Sequence, residues 1–248
     1  METKDNTRKT IGMKTSAPTC VRRNKKMLFA LLLSASLALT LFSCEKDEDY
    51  YSLGDVWISM GFIDQANEGS FSIRLDNGDT LVPVSNAVPY FKTENNQRIM
   101  VNYTILDEVN QSTKKFYVKV NNLYEILYKD IIELTALNND SIGNDPVHIV
   151  DIWKSGSILN VEFSFLGGGI THYINLAKPA ENSVGQSEPI ELELRHNARN
   201  DPFQYQLRSI VSFDLKSIEI IGRDSIQFKV ISTDYGGNKH TFSSTYKY

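Results

Sequence analysis

From Tyr50 to the end of the chain, apolar residues recur mostly at every second position, the period of a strand with one buried face. Val56, Ile58, Met60 and Phe62 alternate with Trp57, Ser59 and Gly61, and Phe71-Ser72-Ile73-Arg74-Leu75 follows. Asp76-Asn77-Gly78-Asp79 is then a hairpin signal, because glycine supplies the positive φ that tight turns need. Leu81-Val82-Pro83-Val84 carries a proline suited to a strand end or edge. Ile99, Val101, Tyr103 and Ile105 alternate cleanly, as do Phe116, Val118 and Val120. Five strands between Asp55 and about Tyr128 match the count of a small OB-type barrel, with Asn86–Asn96 as the insertion between its third and fourth strands.

The pattern changes at Asp130–Asp145, where Asn138-Asn139-Asp140-Ser141 and Gly143-Asn144-Asp145-Pro146 concentrate turn formers. Strand-like segments resume at Val147–Ile152, Ile158–Leu166, Ile170–Leu176, Ile190–Arg195, Gln204–Phe213, Ser217–Ile221, Ser225–Ile231 and Thr241–Tyr246. Short strands separated by turns at this spacing predict an antiparallel β-sandwich. No helix of 3.6 period is expected after the amino-terminal segment. The fold class is therefore all-β, a five-stranded OB-like barrel followed by a sandwich.

The amino terminus follows different rules. Arg22, Arg23, Lys25 and Lys26 precede a charge-free run from Met27 through Ser43, shorter than the ~20 residues a spanning helix needs. A basic cluster, an apolar region and small residues at its end fit a secretory signal. Leu41-Phe42-Ser43-Cys44 resembles the bacterial lipobox, in which the signal is cut before the cysteine and that residue is acylated. Phe42 is bulkier than the residue usual at its place. The expected organisation is 1–43 lipoprotein signal peptide, 44–50 acidic linker, 51–129 barrel and 130–248 sandwich, with Cys44 as the lipidation site. Glu45-Lys46-Asp47-Glu48-Asp49 is a solvated linker, and it also resembles the acidic export tag of surface lipoproteins in Bacteroides-type bacteria. A membrane held through the lipid, and an address in the outer membrane of the envelope, follow from that reading.

Charge and cysteine usage then exclude several activities. Residues 44–248 hold 18 Lys and Arg against 28 Asp and Glu, a formal charge of −10, with no cationic cluster of the kind that neutralises nucleic-acid phosphate. No nucleic-acid partner is expected. Of the two cysteines, Cys20 leaves with the signal and Cys44 takes the lipid, so no thiol remains for a disulfide, a zinc site or a nucleophile.

Candidate chemistry is sparse. Ser112/Lys115 and Ser244/Lys247 have the serine–lysine spacing of acyl-enzymes, but that chemistry needs both on one helical turn, and on a strand they face opposite ways. Glu191 and Glu193 share one strand face opposite Ile190, Leu192 and Leu194, which points them to solvent. His148, His172, His196 and His240 lie on separate segments and read as hydrogen-bonded structural residues; no metal and no cofactor is expected. Asn138, Asp140, Gly143 and Asp145 loosely echo a calcium loop, with Ile142 where a ligand should stand, so a plain turn is the better reading. Trp57 and Trp153, inside strands, are expected in the core. Tyr50 and Tyr51 flank the linker and suit either a partner contact or a packing role.

Several segments together resemble one family. Tyr51-Ser-Leu-Gly-Asp-Val-Trp57, Arg98-Ile-Met-Val-Asn-Tyr-Thr-Ile-Leu106 and Val118-Lys-Val-Asn-Asn-Leu-Tyr-Glu-Ile-Leu127 are similar to the first half of the NigD-like lipoproteins. Asp145-Pro-Val-His-Ile-Val-Asp-Ile-Trp153, Leu159-Asn-Val-Glu-Phe163, His172-Tyr-Ile-Asn-Leu176 and Leu192-Glu-Leu-Arg-His-Asn197 are similar to the second half. The resemblance implies an OB-like domain and a β-sandwich on an envelope lipoprotein, non-enzymatic, recognising an unidentified protein, with a link to bacteriocin production or immunity. It carries no catalytic residue. The alternative is a surface glycan-binding lipoprotein, marked by an exposed aromatic platform. The setting of His172 and Arg195-His196-Asn197 suggests a buried polar network that holds the sandwich.

Overall fold

The computed structural model describes residues 53–67, 70–110, 112–179 and 189–248; Cys44, the signal segment, Tyr50 and Tyr51 lie outside them. Strands β1 (Trp57–Asn67), β2 (Ser70–Leu75), β3 (Thr80–Asn86), β4 (Arg98–Asn110) and β5 (Lys115–Glu125) close into a barrel of order β1-β2-β3-β5-β4. All its pairings are antiparallel except β3 with β5. The turn after β2 is the one the sequence signals: Gly78 sits at φ +90°, and its N–H donates to the Leu75 carbonyl at 3.0 Å. Ile63, Ile73, Leu81, Ile99, Val101, Val118 and Val120 fill the interior.

The alternation in β1 has the opposite destination from that of β4. Gly61 and Ile63 point inward, so the apolar set Val56, Ile58, Met60 and Phe62 is on the outer wall. Trp57 is 48% exposed and Trp153 only half-buried, so neither is in a core. Both expectations fail for one reason. Strand period fixes which residues share a face, but not which face a neighbouring domain covers.

After Ile126 the chain enters the sandwich directly. One sheet has the order β6 (Leu127–Asp130), β12 (Tyr205–Asp214), β9 (Ile158–Gly167), β8 (His148–Ser155). The other runs β14 (Lys239–Lys247), β13 (Ser225–Thr233), β11 (Ile190–Asn197), β10 (Tyr173–Pro179), β7 (Ile132–Leu134). Most pairings are antiparallel, while β6–β12, β7–β10 and β11–β13 are parallel. Leu159, Val161, Phe163, Val211 and Phe213 face Leu176, Leu192, Leu194, Phe228 and Val230 in a single core.

Two segments depart from the predicted strands. Ser217–Ile221 is not a strand: Leu215–Ile218 is a 3-10 helix. The Asp214 carboxylate accepts from Lys216 N–H at 2.9 Å, and the Ser217 hydroxyl donates to the Asp214 carbonyl at 3.0 Å. This local cap outcompetes the strand ladder, and Leu215 and Ile218, three apart, bury on one side. β10 begins at Tyr173 rather than Ile170, because Gly168 and Gly169 N–H groups turn aside to the Asp201 carboxylate. A single helical turn, α1 (Asn139–Ile142), occupies the turn-rich stretch.

Candidate functional site

Barrel and sandwich belong to one compact unit, residues 51–248, and a buried arginine joins them. Arg98 opens β4, and its side chain is fully shielded from solvent. Its guanidinium forms a bidentate pair with Asp76 from the β2–β3 turn, Nη2 to Oδ2 at 2.7 Å. The same guanidinium donates across to the sandwich, Nη2 to Asn160 Oδ1 at 3.0 Å and Nε to Ser212 Oγ at 3.2 Å. Ser212 Oγ donates to Asn160 Oδ1 at 2.7 Å. Phe62 lies 4.9 Å beneath the cation and meets Tyr128 edge-on. The Tyr128 hydroxyl donates to Asp214 at 2.8 Å; burial first, then the carboxylate, raise its pKa well above the ordinary phenol value. A planar five-donor group suits this position, since a lysine could not serve two domains bidentately.

Beside the joint runs a groove of about 410 Å³. Ile58, Met60 and Met100 on the barrel wall face Trp153 and Ile210 on the sheet, with Asp76 and Asn77 at the rim. A cleft at a domain boundary, apolar with a few polar groups at its edge, is the commonest form of a binding site. Methionines adapt to varied partner shapes. Ile58 remains 65% exposed, so the apolar surface is available.

The second cluster is the predicted polar network. Asp201 Oδ2 lies 3.1 Å from His172 Nε2, His172 Nδ1 2.9 Å from His196 Nε2, and His196 Nδ1 3.1 Å from the Pro146 carbonyl. A carbonyl only accepts, so His196 donates through Nδ1. Burial disfavours charge on Asp201, but the Gly168 N–H, the His172 ring and the Gly169 N–H outweigh it and hold its pKa low. Burial lowers the pKa of His196. Phe165 packs at a tilt against both rings, with centroids 4.6 and 5.5 Å away. The relay ends on a carbonyl that cannot take up a proton and is closed to solvent, so it is a brace and not a catalytic dyad. Arg195 extends the brace, donating from Nε to the Gly143 carbonyl at 2.6 Å and from Nη2 to Asn139 Oδ1 at 3.0 Å. Asn197 Nδ2 donates to Ser141 O at 2.8 Å.

The remaining candidates stay apart. Glu193 pairs with Arg195 and Glu191 with Lys229, both half-exposed. Asp145 accepts from Ala198 N–H at 2.7 Å and Ile142 is buried, as a turn requires. Ser244 and Lys247 stand on β14, while Ser112 lies in the turn before Lys115 opens β5. His148 meets His240 edge-on at 6.1 Å, and among the described residues no group of three or more His, Cys, Asp or Glu is arranged to hold a metal ion. Sequence reasoning missed Arg98 and Asn160, although both stand in segments that resemble the family. An arginine opening a strand whose alternate positions Ile99, Val101, Tyr103 and Ile105 fill the core was the available signal.

Comparison with known proteins adds identity to this geometry. The NigD-like N-terminal OB domain matches residues 60–126, and the NigD-like C-terminal beta sandwich domain matches residues 130–246. A crystal structure of a protein from Parabacteroides distasonis described as toxin-related is 32% identical over 78% of this chain and 94% of its own, with a TM-score of 0.67. A protein of unknown function from Bacteroides vulgatus is 27% identical over 78% of this chain and 92% of its own, TM-score 0.66. A NigD-like immunity protein from Bacteroides caccae shares the fold, with 20% identity over 80% of this chain and 99% of its own, TM-score 0.60. Among curated proteins none matches.

Proposed function

Since the chain belongs to the NigD-like family, we propose that it is a non-enzymatic, lipid-anchored envelope protein whose rigid two-domain body recognises another protein. The observation that carries this reading is the apolar groove beside the Arg98 joint, where both domains contribute to one surface. A buried arginine, ion-paired within the barrel and hydrogen-bonded to the sandwich, fixes the relative placement of the two domains, and a preformed surface avoids the ordering cost of binding. The relatives described as toxin-related and as an immunity protein support a bacteriocin-linked role, in which the recognised protein is the toxin or a component of its machinery. Cys44, acylated after removal of residues 1–43, would tether the body through the acidic linker 44–50 to the outer membrane.

A glycan-binding role is less supported. Phe203 and Tyr235, an exposed aromatic pair, meet edge-on at 85° and so present no common plane for a sugar ring. The test uses Met100→Asp and Ile58→Asp in the cleft. Cells that depend on the protein for protection should lose protection from producer strains with either variant, with the folded protein still at its normal level in the envelope. Unchanged protection by both variants would reject the groove as the recognition surface.

A further inference from the structure

The sandwich is incomplete along one flank. β12 pairs with the short β6 only over Val211–Asp214, and β10 with the short β7 only over Ala177–Pro179. Before those residues, among the described residues, β12 from Tyr205 to Ile210 pairs with β9 alone, and β10 from Tyr173 to Leu176 with β11 alone. Both open half-edges start at the same end of the sandwich, because Tyr205 lies opposite Gly167 and the short Gly168–His172 connection leads straight to Tyr173.

Among the described residues, no strand covers the β12 half-edge. Tyr205 through Ser209 are exposed without a break, on both faces of the strand. Tyr205 and Leu207 share the alternation of Val211 and Phe213, whose side chains are in the core, and the β12–β9 register has no shift that would change it. They therefore stand on the core side of the sheet, yet are 65% and 37% exposed. On the facing strand, Lys129 reaches the open edge of β10 and donates to the Ile174 carbonyl at 2.9 Å and to Asn175 Oδ1. An ammonium group stands there in place of a neighbouring strand's N–H.

Proteins protect sheet edges with bulges, charges, proline or brevity, because an open edge templates pairing. The other edges here are protected. β8 is bulged between Ile149 and Asp151, β14 begins and ends on Lys239 and Lys247, and β6 and β7 are four and three residues long. The open half of β12 has regular register and no proline, and its one charge, Arg208, is tied to Glu162 at 3.0 Å. An edge left unprotected where its neighbours are protected has the character of a docking site.

We propose that this flank takes up an extended segment of a partner protein, which adds as a strand to Tyr205–Ile210 and sets alternate apolar side chains over Tyr205 and Leu207. The inference rests on the protein-recognition reading and specifies the partner: a chain with an extended stretch of about five residues, ~17 Å long, apolar at every second position. Main-chain hydrogen bonds supply affinity in this mode, and the uncovered core-side corner supplies selectivity. β6 already pairs with the rest of the same edge, so the added strand continues an interface that exists.

The test selects binders to the full chain from a random peptide library and maps them by amide hydrogen exchange. The expected peptides alternate apolar and polar residues and slow exchange across Tyr205–Ser209 about tenfold or more. They also bind about tenfold more weakly to Leu207→Glu, and to the native chain when alternate peptide nitrogens are methylated. Peptides that instead protect Met60, Met100 and Trp153 would overturn strand addition while leaving protein recognition standing. Enrichment no better than on Leu207→Glu would overturn the proposal. Protection of Tyr205–Ser209 by self-association of the peptide-free chain would overturn it in favour of a second copy.

Discussion

Replacing Asp76 with asparagine tests the joint at its most sensitive atom. The change keeps shape and removes the charge that balances a guanidinium with no solvent contact. Asn160 and Ser212 remain as neutral acceptors and cannot compensate a full charge. Removing one partner of a buried pair costs about 3–5 kcal/mol. At roughly 2–4 °C per kcal/mol for a body of this size, Asp76→Asn should lower Tm by about 6–20 °C. Replacing both charges, Arg98→Met with Asp76→Asn, removes the uncompensated ion, and such replacements are often neutral or better. The double variant should therefore recover most of the loss, with a coupling of about 2–3 kcal/mol in a double-mutant cycle. Urea unfolding of the native, single and double variants gives all the terms, and hydrogen exchange at Ile126 and Val211 shows whether the domains separate. A cost below about 1 kcal/mol for Asp76→Asn, or simple additivity in the cycle, would mean that the pair behaves as an exposed one and does not hold the joint.

Further outcomes follow from other parts of the molecule. Gly143→Ala should destabilise the chain by about 1–3 kcal/mol in thermal denaturation. Gly143 has φ +70°, and an added Cβ would stand 2.6 Å from both the His196 carbonyl oxygen and Asn197 Cβ. His196, whose pKa is lowered by burial, binds its proton more weakly in the folded than in the unfolded chain. The unfolded state then takes up more protons as pH falls below about 6.5, so its contribution to stability is complete above that pH and is lost below it. His196→Gln should flatten this part of a pH–stability profile between about pH 7 and 5, and an unchanged slope would remove His196 as its source. Cys44→Ser should shift the protein from the detergent phase to the aqueous phase in a partition assay; continued partition into detergent would end the tethering proposal.

Strand content, the barrel-then-sandwich order and most strand positions were legible along the chain. A period of two is imposed locally by the pleat and needs no partner to be visible. The tight turn at Gly78 was legible for a similar reason, since few residues accept positive φ. The family-like setting of His172 and Arg195-His196-Asn197 pointed to a polar network, and in the structure these buried polar groups find partners. What each face meets depends instead on how the elements pack. The apolar side of β1 turned outward because the sandwich stands beside it, which also drew Trp153 out of the core and into the groove. Arg98, Asp76, Asn160 and Ser212 are separated by up to 136 positions yet share one cluster. No local rule brings them together; barrel closure and strand pairing do. The uncovered edge of β12 is likewise invisible in its own residues, since it exists only because β6 ends its pairing at Leu127. Periodicity is a property of one segment, whereas joints, grooves and open edges depend on how several segments terminate against one another.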